Sequence, residues 1–203
     1  MGLFDDLKRM AGSTVKREAV NAVRNASADA VNAVGKGKNH SESFAFSRIP
    51  QSVAELQSFP EAALDSAYKT TALTLIVLCN YEIDPEGTYE MLNWLKGPAD
   101  LSPFERQFIK EHLGSATYKA RSYFLGATPE NGYSPALPYT ITVSSTPYSF
   151  DNENWATLYV QSSGADNPRG IKLRQKPSTG QWFLNEIQCL SQIRLPVEED
   201  PWA

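Results

Sequence analysis

Ile171-Lys172-Leu173-Arg174-Gln175-Lys176-Pro177-Ser178-Thr179-Gly180-Gln181-Trp182-Phe183-Leu184-Asn185-Glu186-Ile187 decides the fold class of this chain. Alternation over 171–176 puts Ile171, Leu173 and Gln175 on one face and Lys172, Arg174 and Lys176 on the other, which is the pattern of a strand with one solvated side. Pro-Ser-Thr-Gly then turns the chain into a second strand, 181–187, so the pair reads as an antiparallel hairpin. Working back, 155–161 and 139–143 are two more strands, and Tyr139-Thr140-Ile141-Thr142-Val143 alternates cleanly. Forward, 192–195 reads as a last extended piece.

Further upstream the pattern is helical. Ser52-Val53-Ala54-Glu55 and Ser58-Phe59-Pro60-Glu61 both have capping-box spacing, and the second is expected to open a helix reaching about Asn80. Its residues Leu73, Leu75, Ile76 and Leu78 make it the expected central core element. Asp84-Pro85-Glu86 and Ser102-Pro103-Phe104-Glu105 start two more helices, which end at Gly97-Pro98 and Gly114. Phe44 and Phe46 predict a short edge strand in a body that begins near Ser43. Helices followed by antiparallel strands make an α+β domain, with helices on one face of a curved antiparallel sheet.

Residues 1–38 are built differently. Ala19-Val20-Asn21-Ala22-Val23 recurs 11 residues on as Ala30-Val31-Asn32-Ala33-Val34, a period of three helical turns. A long N-terminal amphipathic helix is therefore expected, bulky at Leu3, Phe4, Leu7 and Met10 and nearly all alanine afterwards. Gly35-Lys36-Gly37-Lys38-Asn39 follows as a linker. The chain thus divides into a helical arm with its linker, 1–38, and an α+β domain, 39–203. The arm holds seven basic and four acidic residues, a surplus of +3, so the other 165 residues carry −7 of the net −4. A basic arm on an acidic body points to an anionic surface for the arm and away from nucleic acid for the body.

Several stretches resemble an uncharacterised bacterial family, a domain of unknown function from clostridia-type Gram-positive genomes. They are Leu92-Asn93-Trp94-Leu95-Lys96-Gly97-Pro98, Gly126-Ala127-Thr128-Pro129-Glu130-Asn131-Gly132-Tyr133, Ser162-Ser163-Gly164-Ala165-Asp166, Ser178-Thr179-Gly180-Gln181-Trp182-Phe183-Leu184 and the Glu199-Asp200-Pro201-Trp202-Ala203 ending. The resemblance covers about 59–203 and implies no activity. The last hairpin is also similar to the end of a nuclear-transport-factor-2-like cone. Such cones often enclose an apolar pocket and some are enzymes, which here would place Tyr133, Tyr139, Trp155 and Trp182 around a small-molecule site.

Little else in the sequence carries chemistry. His40, His112, Cys79 and Cys189 are not at metal-ligand spacing, so no metal and no cofactor is expected. His112 late in a helix reads as a surface residue, and no catalytic residue is assigned. Asp166 and Arg169 flank Pro168 as an expected local ion pair. Trp202 is expected to fold back onto the body, with docking into a partner as the alternative. No secretory leader or membrane-length apolar run is visible, so the expected location is cytoplasmic, with peripheral attachment at the inner membrane face as an extension.

The expected function is non-enzymatic binding or structural work. Leu3, Phe4, Leu7 and Met10 would insert into a membrane or partner, with Lys8, Arg9, Lys16, Arg17 and Arg24 on anionic headgroups. Self-association through the alanine face is the other use of such an arm. The alternative is the cone-type small-molecule binder, with or without catalysis.

Overall fold

A computed structural model describes residues 37–202. Five strands, β1 (His40–Phe46), β2 (Tyr139–Ser145), β3 (Trp155–Val160), β4 (Arg169–Gln175) and β5 (Trp182–Ile187), form one sheet in the order β1-β2-β3-β4-β5, every pair antiparallel. The strand alternation of the sequence is the alternation of burial. Phe44 and Phe46 face inward, whereas Ser41 and Ser43 meet Ser144 and Thr142 across the outer face at 2.9 Å each.

Among the described residues, five α-helices accompany the sheet: α1 (Val53–Gln57), α2 (Ala67–Leu78), α3 (Pro85–Lys96), α4 (Pro103–Leu113) and α5 (Tyr118–Arg121). α2 touches all five strands. Eleven of its twelve residues are buried, Lys69 being the exception. A helix apolar on every side has to be a core helix, and its buried threonines are satisfied internally. Thr71 and Thr74 donate to Ala67 O and Thr70 O, while Thr70 donates to Trp182 O at 2.8 Å and so pins the start of β5. Leu73, Leu75 and Ile76 of α2 are fully buried in the core against the sheet.

Helix starts follow their caps. Ser52, Asp84 and Ser102 accept from the backbone N–H of Glu55, Gly87 and Glu105. The expected long helix from Ser58 is corrected. Pro60–Ala63 forms only a 3-10 turn, Leu64 takes a left-handed conformation at φ 54°, and Ser66 caps a fresh helix. Turning left-handed at Leu64 lets its buried side chain and its carbonyl both face the body, where the carbonyl accepts from Trp182 N at 2.7 Å.

Other expectations shift as well. The body opens at His40 rather than near Ser43, and α5 was not foreseen. Residues 192–195 form no strand. They are tied down by Arg194 N donating to Gly164 O and Tyr133 Oη donating to Arg194 O. Asp166 pairs with Arg194 rather than Arg169, because the Arg169 guanidinium is committed to the carbonyls of Ser191 and Gln192. Trp202 stands 90% exposed instead of packing on the body. Both cysteines are free and buried. Among the described residues, no helix is long and apolar enough to cross a membrane.

Candidate functional site: a groove between α4 and β5

β5 is an edge strand, and residues of α4 and of β5 line one groove. α3 packs directly on β5, and the turn Gly97–Leu101 then carries the chain outward before α4 begins. Between α4 and β5 lies an apolar groove of about 350 Å³. Phe104, Phe108 and Ile109 form one wall, and Leu184 and Ile187 form the other. The spacing of Phe104 and Phe108, one helical turn apart, puts both on the same face. Phe104 is 79% exposed in the first turn of α4.

One polar pair sits in this apolar setting. Lys96, the last residue of α3, is buried, and its Nζ donates to Glu105 Oε1 at 2.6 Å and to Asn185 O at 3.1 Å. The Asn185 carbonyl is available because β5 carries a bulge there. Lys172 pairs with Glu186 and Leu173 with Leu184, leaving Asn185 as an extra residue. A bulge re-aims a strand locally, and here it turns a backbone acceptor toward the ammonium. Glu105 serves twice. Its Oε2 accepts from Ser102 N at 2.8 Å and from Ser102 Oγ at 2.7 Å, closing the capping box of α4. Burial alone would raise the Glu105 carboxyl, but the hydrogen bonds from Lys96 and Ser102 outweigh it and hold it below the usual range. Hydrogen bonds from Lys172 and Gln188 likewise lower Glu186 on the opposite rim.

At the far end, the His112 ring lies on Phe108 with centroids 4.1 Å apart. Its Nδ1 is 2.9 Å from Phe108 O, and since a carbonyl only accepts, Nδ1 carries the proton. Nε2 is then 3.3 Å from Ser191 Oγ. A hydroxyl beside an imidazole is a nucleophile-base arrangement in outline. Here the group orienting the imidazole is a neutral carbonyl, which offers no negative charge to stabilise an imidazolium. A second groove of about 380 Å³ adjoins the first, shares Lys96, Leu184 and Asn185 with it, and is more polar, with Arg174, Gln175 and Lys176 on its wall.

The aromatic residues singled out in the sequence are not brought together. Tyr133 is fully buried, stacked on Tyr118 at 5.2 Å. Trp182 is buried against Phe150 at 5.9 Å. Tyr139 is half-buried beside Phe124, and Trp155 lies on the outer face under the Arg174 guanidinium at 5.1 Å. None of the four lines either groove. Leu3, Phe4, Leu7, Lys8, Arg9, Met10, Lys16, Arg17 and Arg24 lie outside the described residues. The groove residues went unnoticed because they come from three elements. The local signals were Phe104 and Phe108 one turn apart and Lys96 directly before Gly97-Pro98. Among the described residues no cluster of His, Cys, Asp and Glu is arranged to hold a metal.

Residues 48–197 match the family model described as domain of unknown function DUF6935. The chain belongs to this family. The match takes in α1 to α5, β2 to β5 and both walls of the groove; residues 1–47, which include β1, precede it. No curated protein and no solved structure matches the chain.

Proposed function

We propose that this DUF6935 protein is a non-enzymatic bacterial binding protein whose basic N-terminal arm attaches an acidic body to an anionic membrane surface at the cytoplasmic face. The observation that carries the reading is the charge split. A surplus of +3 lies wholly within residues 1–38, against −7 in the rest, and the bulky apolar residues Leu3, Phe4, Leu7 and Met10 are interleaved with Lys8 and Arg9. Burying those four side chains is worth about 4–8 kcal/mol at most, enough for reversible attachment when basic residues assist. The exit of the arm supports the reading too. Residues 37–39 are exposed at the start of an edge strand, and no described residue stands within 4 Å of the place a Cβ would take at Gly37.

The test is flotation of the full chain with vesicles of anionic lipid, at low and at moderate salt. Attachment weakened by salt is the expected result. No flotation at either salt concentration sinks the membrane reading and leaves a protein assembly, or self-association through the alanine-rich segment, as the target of the arm.

A second reading rests on the groove itself. Its volume and apolar walls suit a small apolar molecule carrying one hydrogen-bond acceptor for Lys96, so the small-molecule alternative moves from the cone interior to the edge of the sheet. Saturable enhancement of Nile red fluorescence, abolished in Phe104→Asp, would support it; fluorescence unchanged in the variant would remove it.

A further inference from the structure

We infer that the polar groove beside the β4–β5 turn docks residues 198–202 of a second copy of this chain. The Trp202 indole enters between Pro98, Pro177 and Phe183, and the acids before it meet Arg174 and Lys176.

Two complementary surfaces point to this occupant. Trp202 is 90% exposed, a large apolar ring that its own body leaves in water. Glu198, Glu199 and Asp200 precede it, and among the described residues none of the three is in an ion pair. Asp200 Oδ1 accepts from Trp202 N at 2.9 Å, so this turn presents indole and carboxylates together. The groove offers the counterpart. Its volume of about 380 Å³ admits one aromatic side chain, and Pro98, Pro177 and Phe183 give it apolar walls. No carboxylate lines it, although the body as a whole is acidic. Lys96 is held by Glu105, but Arg174 and Lys176 are exposed and, among the described residues, without an ion pair. Arg174 is steadied by the Trp155 ring, whose centroid is 5.1 Å from the guanidinium. Of the acids next to the lining in sequence, Glu186 is held by Lys172, and Asp100 alone leaves the cations in surplus. Tryptophan is among the commonest anchors of protein interfaces, and opposite charges around it fix the register.

The occupant comes from another copy because the two surfaces lie at opposite ends of the sheet. Val160 pairs with Arg169 at one end of β4, and Trp155 pairs with Arg174 toward the other. The chain after β5 is fastened at the Arg169 end. That guanidinium donates to Ser191 O and Gln192 O, and Arg194 N donates to Gly164 O, just past β3. Residues 197–199 then pack on 129–131. The nearby Leu125 N donates to Thr140 O, which lies further out than the Val143–Val160 pair. From Arg169 to Arg174 is about 17 Å of strand, whereas the step from Glu199 to Trp202 spans about 11 Å at full extension. Trp202 therefore falls short of its own groove. Two different patches that meet make a heterologous contact, which joins copies head to tail. One indole and a few charges bury less than the roughly 1,000 Å² of a stable interface, so the association is weak and concentration-dependent.

The test is sedimentation velocity of the full chain between about 10 μM and 1 mM, where mass should rise with concentration past the dimer. Trp202→Ala removes the anchor, and Arg174→Glu with Lys176→Glu reverses the groove. All three positions are exposed, so neither change touches the core. Each variant alone should associate about tenfold more weakly than wild type. One variant keeps the groove and the other keeps the segment, so an equimolar mixture should recover association but stop at the dimer. A wild type that stays monomeric throughout would overturn the docking. So would association untouched by either variant, which would place the contact elsewhere on the chain. A mixture that associates no better than its two components would overturn it as well.

Discussion

Lys96 and Glu105 concentrate the electrostatics of the groove. A lysine as buried as Lys96, 9% exposed as a residue, is tolerable only because a carboxylate 2.6 Å away and the Asn185 carbonyl replace the water of its ammonium. Glu105→Gln keeps the shape and removes the counter-charge. We expect it to cost about 1–3 kcal/mol in urea denaturation at neutral pH, less than for a fully buried pair because Glu105 is still partly hydrated. The pH dependence has a definite sign. The Glu105 carboxyl is depressed on folding, so its contribution is present above the ordinary value of 4.5 and is lost as pH falls through the lower folded value. The gap between wild type and Glu105→Gln should therefore close as the solution is acidified below 4.5. A gap of constant size down to full protonation would show that the ion pair contributes nothing.

At the scale of the element, α4 is a short helix held at one end by a single residue pair. Ser102 Oγ accepts from Glu105 N at 3.2 Å, and Glu105 returns its Oε2 to Ser102 N at 2.8 Å. Only Ile109 and Leu113 of its eleven residues are buried, so packing alone anchors it weakly. Ser102→Ala should lower global stability by about 1 kcal/mol. It should also raise amide exchange in 104–107 more than in α2, because the free first turn frays locally. Equal protection in both helices would mean that the cap does not control the groove wall. Capping residues act on neighbours three positions away, which is why α3 and α4 could be placed from sequence. The helix expected from Ser58 failed by the same logic. A capping-box spacing marks a possible helix start but says nothing about Leu64 further on, whose carbonyl is held by Trp182 N in a left-handed turn.

At the scale of the molecule, one fully enclosed helix organises everything. α2 contacts every strand, and its C-terminal neighbour Cys79 lies in the same interior as Cys189. Burial pushes the Cys189 thiol up to about 12 and the Cys79 thiol up as well. We expect both to resist a thiol reagent at mildly alkaline pH, reacting on the order of a thousandfold more slowly than a free thiol, and to label together once urea unfolds the domain. Rapid labelling of one cysteine in the native protein would reveal a local opening that this core does not provide for.

The sequence by itself determined the elements whose physics is local. Strand alternation in 139–143 and 171–176, the caps at Ser52, Asp84 and Ser102, the apolar residues Leu73, Leu75, Ile76 and Leu78 of α2 and the charge split between arm and body each depend on residues a few positions apart. These fix the α+β class, which the five-stranded antiparallel sheet bears out. Tertiary structure alone decided where the apolar groove lies. The aromatic residues that looked like pocket lining were drawn into the core or onto the outer face. The groove lies where α3 packs on β5 and the chain continues through Gly97 into α4. Lys96, Glu105 and Asn185 meet there from three elements, the last through a bulge that shows only when two strands are paired. Alternation fixes which face a residue takes, but not which distant residue will face it across a gap.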